Sequence, residues 1–433
     1  MSFNWQTVKL RDLIVSANTG LDAIKRAPIV NYNSGVKCLR IQDISQEKEM
    51  MNWGFCKVSK QNYENFQLKK NDIIIARTGA TVGVNRIIKN DLKAVYNNGL
   101  IRIKTDRKKL LSKFLYYCFQ SKSYKNHINA IAVGTSTQPN MRIEALLDFP
   151  VELPNIEIQT NIVFLLSVFD EKIGLNRQIN QTLEAIAQAI FKHWFIEFEF
   201  PDENSEPYKS SGGEMVDSEM DLIPKGWRFE KLGSLLSEIV TGNRPKGGVR
   251  EFKEGIPSIG AESINGLCNY SFSKTKYIPE LYFTDMKKGI VKNGDILLYK
   301  DGANLGRKSM FLENFPFKKC CVNSHVFILR SNSLMKQSYL FFYLDQEFIT
   351  KNIINLNTNS AQPGINSTSV KTLKILLPSD KMLNLFNELV FPILKTIFNN
   401  AKENKYLSNL RDALLPKLMS GEIRVPINKE GDG

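Results

Sequence analysis

The chain has 433 residues, of which 42% are hydrophobic and 24% charged, a balance that excludes a wholly disordered protein and is enough for two or three folded domains. A formal net charge of +14 favours a polyanionic partner such as nucleic acid, because lysine and arginine neutralise phosphates. The sequence has no Cys-x-x-Cys pair, signal peptide or membrane-length apolar stretch, so we expect reduced, mostly buried cysteines and a cytoplasmic protein.

The first part of the chain predicts a mixed α+β unit. Short stretches rich in β-branched or apolar residues at 36–44, 72–76 and 100–104 are typical of strands. Residues 110–128 have the pattern of helices. The unit therefore combines strands and helices in one domain.

A long amphipathic stretch follows. Its apolar residues recur mostly every three or four positions, the spacing of a helix that buries one face. They are Ile162, Leu166, Phe169, Ile173, Leu183, Ile186, Ile190 and Trp194. Residues 201–220 are then rich in serine, glycine and acidic side chains, which predicts a linker.

The second half of the chain repeats the first. Residues 68–83 align without gaps with residues 291–306, and residues 136–154 align with residues 360–378. Because the blocks keep their order, the second copy should fold like the first. Its predicted elements are strands at 295–299 and 325–330 and helical residues at 333–349.

The second copy also ends in an amphipathic helix, for which Ser379 is the predicted N-cap, Gly421 the stop and Pro392 an expected kink. Its apolar stripe consists of Phe386, Leu389, Ile393, Ile397, Leu407, Leu410, Leu414 and Leu418. Two such stripes most simply bury each other, and the duplication favours an antiparallel pair of helices.

Asparagines lie at the centre of both stripes. In an antiparallel pair, Asn176 would face Asn404 and Asn180 would face Asn400. Polar residues at such positions can set the register of two helices. The alternative is that they lie at the solvent-exposed margin of each helix, where asparagine is common.

The two copies differ most in polar loops, where residues 21–28 correspond to 241–252 and residues 132–140 to 356–364. These loops contain side chains that bond phosphates and base edges, although polar loops are usually only solvated. The candidate DNA contacts lie in these loops and in the loops that follow the predicted strands at 72–76 and 295–299. They are Lys25, Arg26, Arg77, Thr78, Thr135, Thr137, Gln138, Arg244, Lys246, Lys300, Asn304 and Gln362. For Arg77, a salt bridge inside the first copy is the alternative.

No catalytic pattern accompanies these features. His127, His193 and His325 are too few and too scattered for a metal site or a catalytic triad. A phosphate-binding G-x-x-x-x-G-K-[ST] loop and a dinucleotide fingerprint are also absent from the sequence. We expect a recognition protein without catalytic residues or a metal site. The alternatives are a self-sufficient DNA-modifying enzyme and a protein scaffold that does not bind DNA.

Residues 189–201, 223–233 and 410–423 resemble the specificity subunit of type I restriction-modification enzymes. The resemblance covers essentially the whole chain. It implies an α+β fold with two target-recognition domains in tandem, related by pseudo-twofold symmetry and joined by two long antiparallel coiled-coil helices. The implied segments are recognition domain 1 at 1–154, a central helix at 155–200, a linker at 201–222, recognition domain 2 at 223–378, and a C-terminal helix and tail at 379–433.

The resemblance also implies function and partners. Each domain would read one half-site of an asymmetric, bipartite DNA target, and the helices would set the unread gap. Two modification subunits would carry S-adenosylmethionine, restriction subunits would use ATP and Mg²⁺, and this chain would bind no cofactor. Coiled-coil packing, or else contact with a modification subunit, is expected for Asn176, Asn180, Phe191, Trp194, Phe195, Asn400, Asn404, Leu414, Leu415 and Leu418.

Overall fold

The computed structural model describes residues 5–46, 48–132, 139–219, 221–357 and 363–425. The chain forms two compact units. Unit 1 comprises Met1–Glu171 and Leu407–Gly433, and unit 2 comprises Lys172–Tyr406. Two 40-residue helices, Ile156–Phe195 and Asp380–Met419, each contribute one end to unit 1 and the other to unit 2.

Unit 1 mixes short strands and helices, as the sequence predicts. Its strands are β1 (Gln6–Lys9), β2 (Ile14–Thr19), β3 (Ile29–Val30), β4 (Lys37–Leu39), β5 (Gly54–Cys56), β6 (Ile73–Ala76), β7 (Asn85–Ile87), β8 (Ala94–Tyr96), β9 (Leu100–Thr105) and β10 (Pro150–Leu153). Its helices are α1 (Ile41–Ser45), α2 (Lys60–Phe66), α3 (Ser112–Cys118), α4 (Lys122–Ala132), α5 (Ile143–Leu147) and the first part of α6 (Ile156–Phe195). Single 3₁₀ turns span Leu10–Leu13, Met50–Asn52 and Gly79–Thr81.

The main sheet of unit 1 is antiparallel, with the strand order β2-β9-β6-β7. Strand β6 lies inside it because Ile73, Ile74 and Ile75 are fully buried and β-branched, which suits a strand covered on both faces. A second sheet has the order β3-β5-β4-β8, in which β4 and β8 run parallel. Strands β1 and β10 form a separate antiparallel pair.

The predicted strand at 36–44 is only partly correct. Strand β4 ends at Leu39, and residues Ile41–Ser45 form helix α1. The buried carboxylate of Asp43 accepts hydrogen bonds from the Arg40 backbone N–H at 3.0 Å and from Arg40 Nε at 3.2 Å. A capping carboxylate of this kind starts a helix despite the apolar composition.

The core of unit 1 is closed by the ends of both long helices. Ile162 and Leu166 from α6 and Leu415 and Leu418 from the C-terminal helix are buried in one apolar cluster with the main sheet. An ion pair in which Arg411 Nη1 lies 2.6 Å from Asp170 Oδ1 also joins the two helices here. Unit 1 therefore depends on residues from the two extremes of the chain.

Unit 2 repeats this construction. Its strands are β11 (Met215–Asp217), β12 (Leu222–Pro224), β13 (Arg228–Lys231), β14 (Leu236–Thr241), β15 (Ile256–Ile259), β16 (Lys276–Ile278), β17 (Ile296–Tyr299), β18 (Lys308–Met310), β19 (Cys321–Val322), β20 (Val326–Ser331) and β21 (Lys374–Leu377). Its helices are α7 (Leu232–Leu235), α8 (Glu280–Thr284), α9 (Gln337–Asp345), α10 (Glu347–Asn355), α11 (Ser367–Lys371) and most of α12 (Asp380–Met419), together with the second part of α6.

The main sheet of unit 2 has the order β14-β20-β17-β18, which matches β2-β9-β6-β7 of unit 1 strand for strand. The predicted strands at 72–76 and 295–299 are β6 and β17, and each lies third in its sheet. Strand β17 pairs with β20 as β6 pairs with β9, in antiparallel register. The structure thus confirms that the repeated sequence blocks encode a repeated fold.

An aromatic cluster fills the core of unit 2. Phe191 and Phe195 of α6 are buried against Tyr339 of α9 and Phe386 of α12. The Phe195 ring centroid lies 4.8 Å from that of Tyr339 and 5.0 Å from that of Phe386. These edge-on contacts, with the half-buried Trp194 beside them, fix α6 and α12 to the domain.

Helices α6 and α12 meet through the asparagines in unit 2. Asn176 Nδ2 donates to Asn404 Oδ1 at 3.0 Å, and Asn400 Nδ2 donates to Asn180 Oδ1 at 2.8 Å. These are the two pairings that the sequence predicts for antiparallel helices. Asn176 is 1% exposed, and its Nδ2 donates to both Asn404 and Glu403 of the opposite helix, which restricts the register.

Helix α12 begins and ends close to its predicted signals. Ser379 Oγ accepts the Met382 backbone N–H at 3.4 Å, and the helix stops at Met419, just before Gly421 with a φ of +73°. The helix runs through Pro392 without a break.

Residues 201–222, predicted to be a linker, carry structure of their own. Strand β11 pairs with β12, and the Phe200 ring stacks between Tyr208 and Trp227 with centroids 4.5 and 4.9 Å away. The polar composition concealed this order, because the stacking partners come from both sides of the segment. The predicted linker thus contains ordered structure, in the strand pair β11–β12 and in the stack that includes Tyr208.

All six cysteines are free thiols, and only Cys268 is partly exposed. None of the helices in the described ranges is both long and apolar enough to cross a membrane.

Candidate nucleic-acid interface

Four loops of unit 1 converge at one end of the main sheet. The antiparallel pairings place Thr19 opposite Ile101 and Ala76 opposite Leu100, so β2 and β6 end where β9 begins. The loop edge of unit 1 therefore consists of residues 20–28, 77–84, 97–99 and 139–141.

Backbone hydrogen bonds hold the loop edge of unit 1 together. The Arg77 N–H donates to Gly99 O at 3.0 Å, the Gly79 N–H donates to Pro139 O at 2.9 Å, and the Met141 N–H donates to Arg77 O at 2.8 Å. Two repeated blocks that are separate in the sequence, residues 68–83 and 136–154, are thus brought together in space by Arg77, Gly79, Pro139 and Met141.

Arg77 and Thr78 lie at the centre of this edge and are half-buried. Arg77 donates from Nε and Nη2 to Asn140 Oδ1 at 3.3 and 3.2 Å. This partner is a neutral amide and not the carboxylate of the alternative salt bridge, so the bond orients the guanidinium without neutralising its charge.

The turn after β2 is shaped by one carboxylate. Asp22 Oδ1 accepts the backbone N–H groups of Ile24 at 3.2 Å and Lys25 at 2.7 Å, and Arg26 Nε donates to Asp22 Oδ2 at 2.8 Å. The Lys25 N–H and then the Arg26 side chain hold the pKa of Asp22 well below its usual range. Lys25 is exposed, whereas the Arg26 guanidinium is engaged within the turn.

Unit 2 has an equivalent loop edge, formed by residues 242–252, 300–307, 323–325 and 363–365. Strands β14 and β17 end where β20 begins, since Thr241 pairs with Phe327 and Tyr299 with Val326. The Gly302 N–H donates to Pro363 O at 2.8 Å, as Gly79 does to Pro139. The scaffold of the edge is therefore conserved between the two copies.

Glycine starts the first loop of both edges for the same reason. A Cβ on Gly20 would overlap the carbonyl oxygen of Tyr96, and one on Gly242 would overlap that of Val322. Both loops must pass close to the chain that precedes β9 or β20. After the shared Thr-Gly, the two sequences diverge completely.

The side chains on the unit 2 edge differ from those on the unit 1 edge. Arg244, Lys246 and Asn304 are exposed. Lys300 Nζ donates to Asp301 Oδ2 at 2.7 Å, and His325 Nδ1 lies 2.5 Å from Asp301 Oδ1. Asp301 thus holds two basic side chains side by side.

All predicted DNA contacts that the structure describes lie on these two loop edges. Thr135, Thr137, Gln138 and Gln362 lie outside the described residues. The sequence analysis did not assign DNA contacts to the residues before β9 and β20, which are Asn97 and Asn98 in one copy and Asn323 and His325 in the other. Their position at or just before the start of a predicted strand was the available signal.

A buried lysine supports residues 300–307 of the unit 2 loop edge. Lys308 Nζ donates to Gly306 O at 2.9 Å and to Thr350 Oγ1 at 2.7 Å, and Asp345 Oδ1 lies 3.9 Å away. The side chain is 3% exposed, and burial lowers its pKa from 10.5 to about 8 although Asp345 raises it.

This lysine should make stability depend on pH. Because the folded-state pKa lies below the unfolded value of 10.5, the unfolded chain binds more protons between about pH 8 and 10.5. Relative to Lys308→Met, the wild-type free energy of unfolding is expected to rise by up to about 3 kcal/mol across this window. Urea unfolding of both proteins at several pH values measures the difference, and parallel curves would contradict it.

No group of three or more histidine, cysteine, aspartate or glutamate side chains within the described ranges is arranged to hold a metal ion.

Both copies match a known family. The model of the type I restriction modification DNA specificity domain matches residues 3–185 and again residues 224–411. The chain belongs to this family. Each copy of the repeat carries one specificity domain, and the predicted fold class of two tandem recognition domains with long paired helices is confirmed.

Specificity subunits of other organisms are similar over most of their length. The specificity subunit of the type I restriction enzyme MjaIX from Methanocaldococcus jannaschii is 31% identical over 353 residues, covering 81% of this chain and 78% of that protein. The HindI specificity subunit from Haemophilus influenzae is 25% identical over 420 residues, covering 82% and 87%. The solved S subunit of a type I system from M. genitalium, at 17% identity, covers 96% of both chains with a TM-score of 0.57 and shares the fold.

Proposed function

We propose that the chain is the non-catalytic DNA-reading subunit of a type I restriction-modification complex, and that its two loop edges read two different half-sites. One observation carries the proposal. Both units bring loops together at the same end of the same strand order, yet the side chains on the two edges differ. A shared frame with different polar groups suits two different base sequences.

The proposed segments are recognition domains at residues 1–154 and 223–378, helical regions at 155–200 and 379–433, and a connection at 201–222. The helices set the length of DNA between the half-sites.

The proposed partners are duplex DNA, two modification subunits and, in the full complex, restriction subunits. Helix α6 offers a surface for a modification subunit. In unit 1 it exposes Phe164 (70%) and Val168 (50%). In unit 2 it exposes Leu175 (51%), Ile179 (37%) and Ile186 (43%), although the sequence places Ile186 in the buried stripe. Spacings of four and seven residues place each set on one helix face, which is typical of a binding surface.

The apolar interface residues predicted from the sequence do not lie on this exposed surface of α6. Phe191, Phe195, Leu415 and Leu418 are buried within the unit cores, and Trp194 and Leu414 pack against them. We therefore assign them to folding and keep the exposed α6 residues for partner binding.

The chemistry is proposed to lie on the partners. S-adenosylmethionine would be bound by the modification subunits, and ATP with Mg²⁺ by the restriction subunits. The complex would act in the cytoplasm, where its DNA substrate is found.

Methyl transfer tests the proposal directly. The purified chain, incubated with duplex DNA, labelled S-adenosylmethionine and Mg²⁺, is expected to transfer no label. Addition of the modification subunits should produce methylation at a bipartite motif, identified by sequencing the modified DNA. Transfer by the chain alone would overturn the non-catalytic role, and an uninterrupted motif would overturn the two-reader role.

A further inference from the structure

An aliphatic side chain lies at the tip of the turn after β2. Ile24 is 84% exposed, more than any other large hydrophobic residue in the described ranges. Leu21 and Ala27, at either end of the turn, are fully buried and anchor it. Ile24 itself contributes almost nothing to the core, so folding does not explain an isoleucine here.

The turn presents Ile24 rigidly. Asp22 accepts the N–H groups of Ile24 and Lys25, and the Ala27 N–H donates to Asp22 O at 2.9 Å. The Arg26 guanidinium bonds both Asp22 and, at 3.2 Å, Gly20 O. A turn held in this way loses little backbone entropy when Ile24 is bound.

The charge around the tip favours nucleic acid as its partner. Lys25 is exposed next to Ile24, and both belong to the loop edge of unit 1 with Arg77. The corresponding turn of unit 2, after Gly242, continues with Asn243, Arg244 and Pro245 and has no aliphatic tip. The apolar tip therefore distinguishes the two edges.

We propose that Ile24 is a specificity-determining residue of unit 1 that contacts the 5-methyl group of a thymine in the major groove. The proposal rests on the DNA-reading function given above. The thymine methyl is the apolar group that base pairs present in the major groove, while the other base-edge groups there are hydrogen-bond donors and acceptors. With Lys25 on a neighbouring phosphate, the rigid turn would press Ile24 against that methyl group.

Deoxyuridine, which lacks only the 5-methyl group, provides the test. The full chain is assembled with its modification subunits, its motif is read by sequencing methylated DNA, and each thymine of the motif is replaced singly by deoxyuridine. Wild-type affinity should fall roughly fourfold at one position, the effect of losing one buried methyl group. With Ile24→Ala, thymine and deoxyuridine should bind equally well at that position.

Val15→Ala is the matched control, because Val15 is 72% exposed at the opposite end of strand β2. It should keep the wild-type response to deoxyuridine.

The proposal is overturned if Ile24→Ala keeps the response, if wild type responds at no position, or if the motif contains no thymine. DNA bending without any response to deoxyuridine would instead assign Ile24 as a wedge between bases. If wild type recognises no bipartite motif, the proposed function itself fails.

Discussion

Adding four residues to each long helix is expected to lengthen the unread gap of the DNA target by about two base pairs and to leave both half-sites unchanged. Four residues are close to one helical turn and add about 6 Å, against roughly 3.4 Å for each base pair. The half-sites should persist because the insertions leave both loop edges intact. Sequencing of methylated DNA reports the length of the gap and the sequences of the two half-sites.

The asparagine pairs define where the insertions belong. Positions after Gln178 and after Ala401 lie between the Asn176–Asn404 and Asn180–Asn400 pairs, so equal insertions preserve both. Insertion into one helix alone shifts one pair by a turn, and the methylation rate and the melting temperature should then both fall. A paired insertion that changed the half-site sequences would refute the proposed division between reading edges and helices.

Replacing Arg244 and Lys246 by glutamine is expected to weaken DNA binding roughly a hundredfold at low salt and to reduce the slope of log affinity against log salt by about two. Both side chains are exposed on the unit 2 loop edge. Each phosphate contact releases close to one counterion, so losing two contacts acts on the affinity and on the slope together. Fluorescence anisotropy of the assembled complex over a salt series measures both.

Lys381→Gln with Lys395→Gln is the matched control, because it removes the same charge from exposed positions of helix α12. Affinity for DNA should then stay within roughly twofold of wild type. An equal loss in both double variants would mean that net charge, and not the loop edge, determines binding.

The repeat made much of the fold predictable. Aligned blocks keep both their strand identity and their place in the sheet, which is why β6 and β17 could be predicted from short apolar segments. The asparagine pairings followed from the same alignment of the two copies. These features depend on local pattern or on symmetry, and the sequence displays both.

What the sequence could not show depends on partners far along the chain. The order within residues 201–222 becomes apparent only when Phe200, Tyr208 and Trp227 come together. His325 looks isolated until sheet order brings it to Asp301. The interface assignments for Phe191 and Leu418 could not be separated from core packing, because apolar periodicity is the same for both.

The C-terminal end of helix α12 completes the core of unit 1, and this has a consequence for synthesis. Residues of unit 2 form one uninterrupted stretch, so a ribosome adds all of them to the chain before Leu415 and Leu418. The domain translated first is therefore finished last. A message cut short near residue 406 would yield a protein whose second domain is complete and whose first domain has an open apolar face.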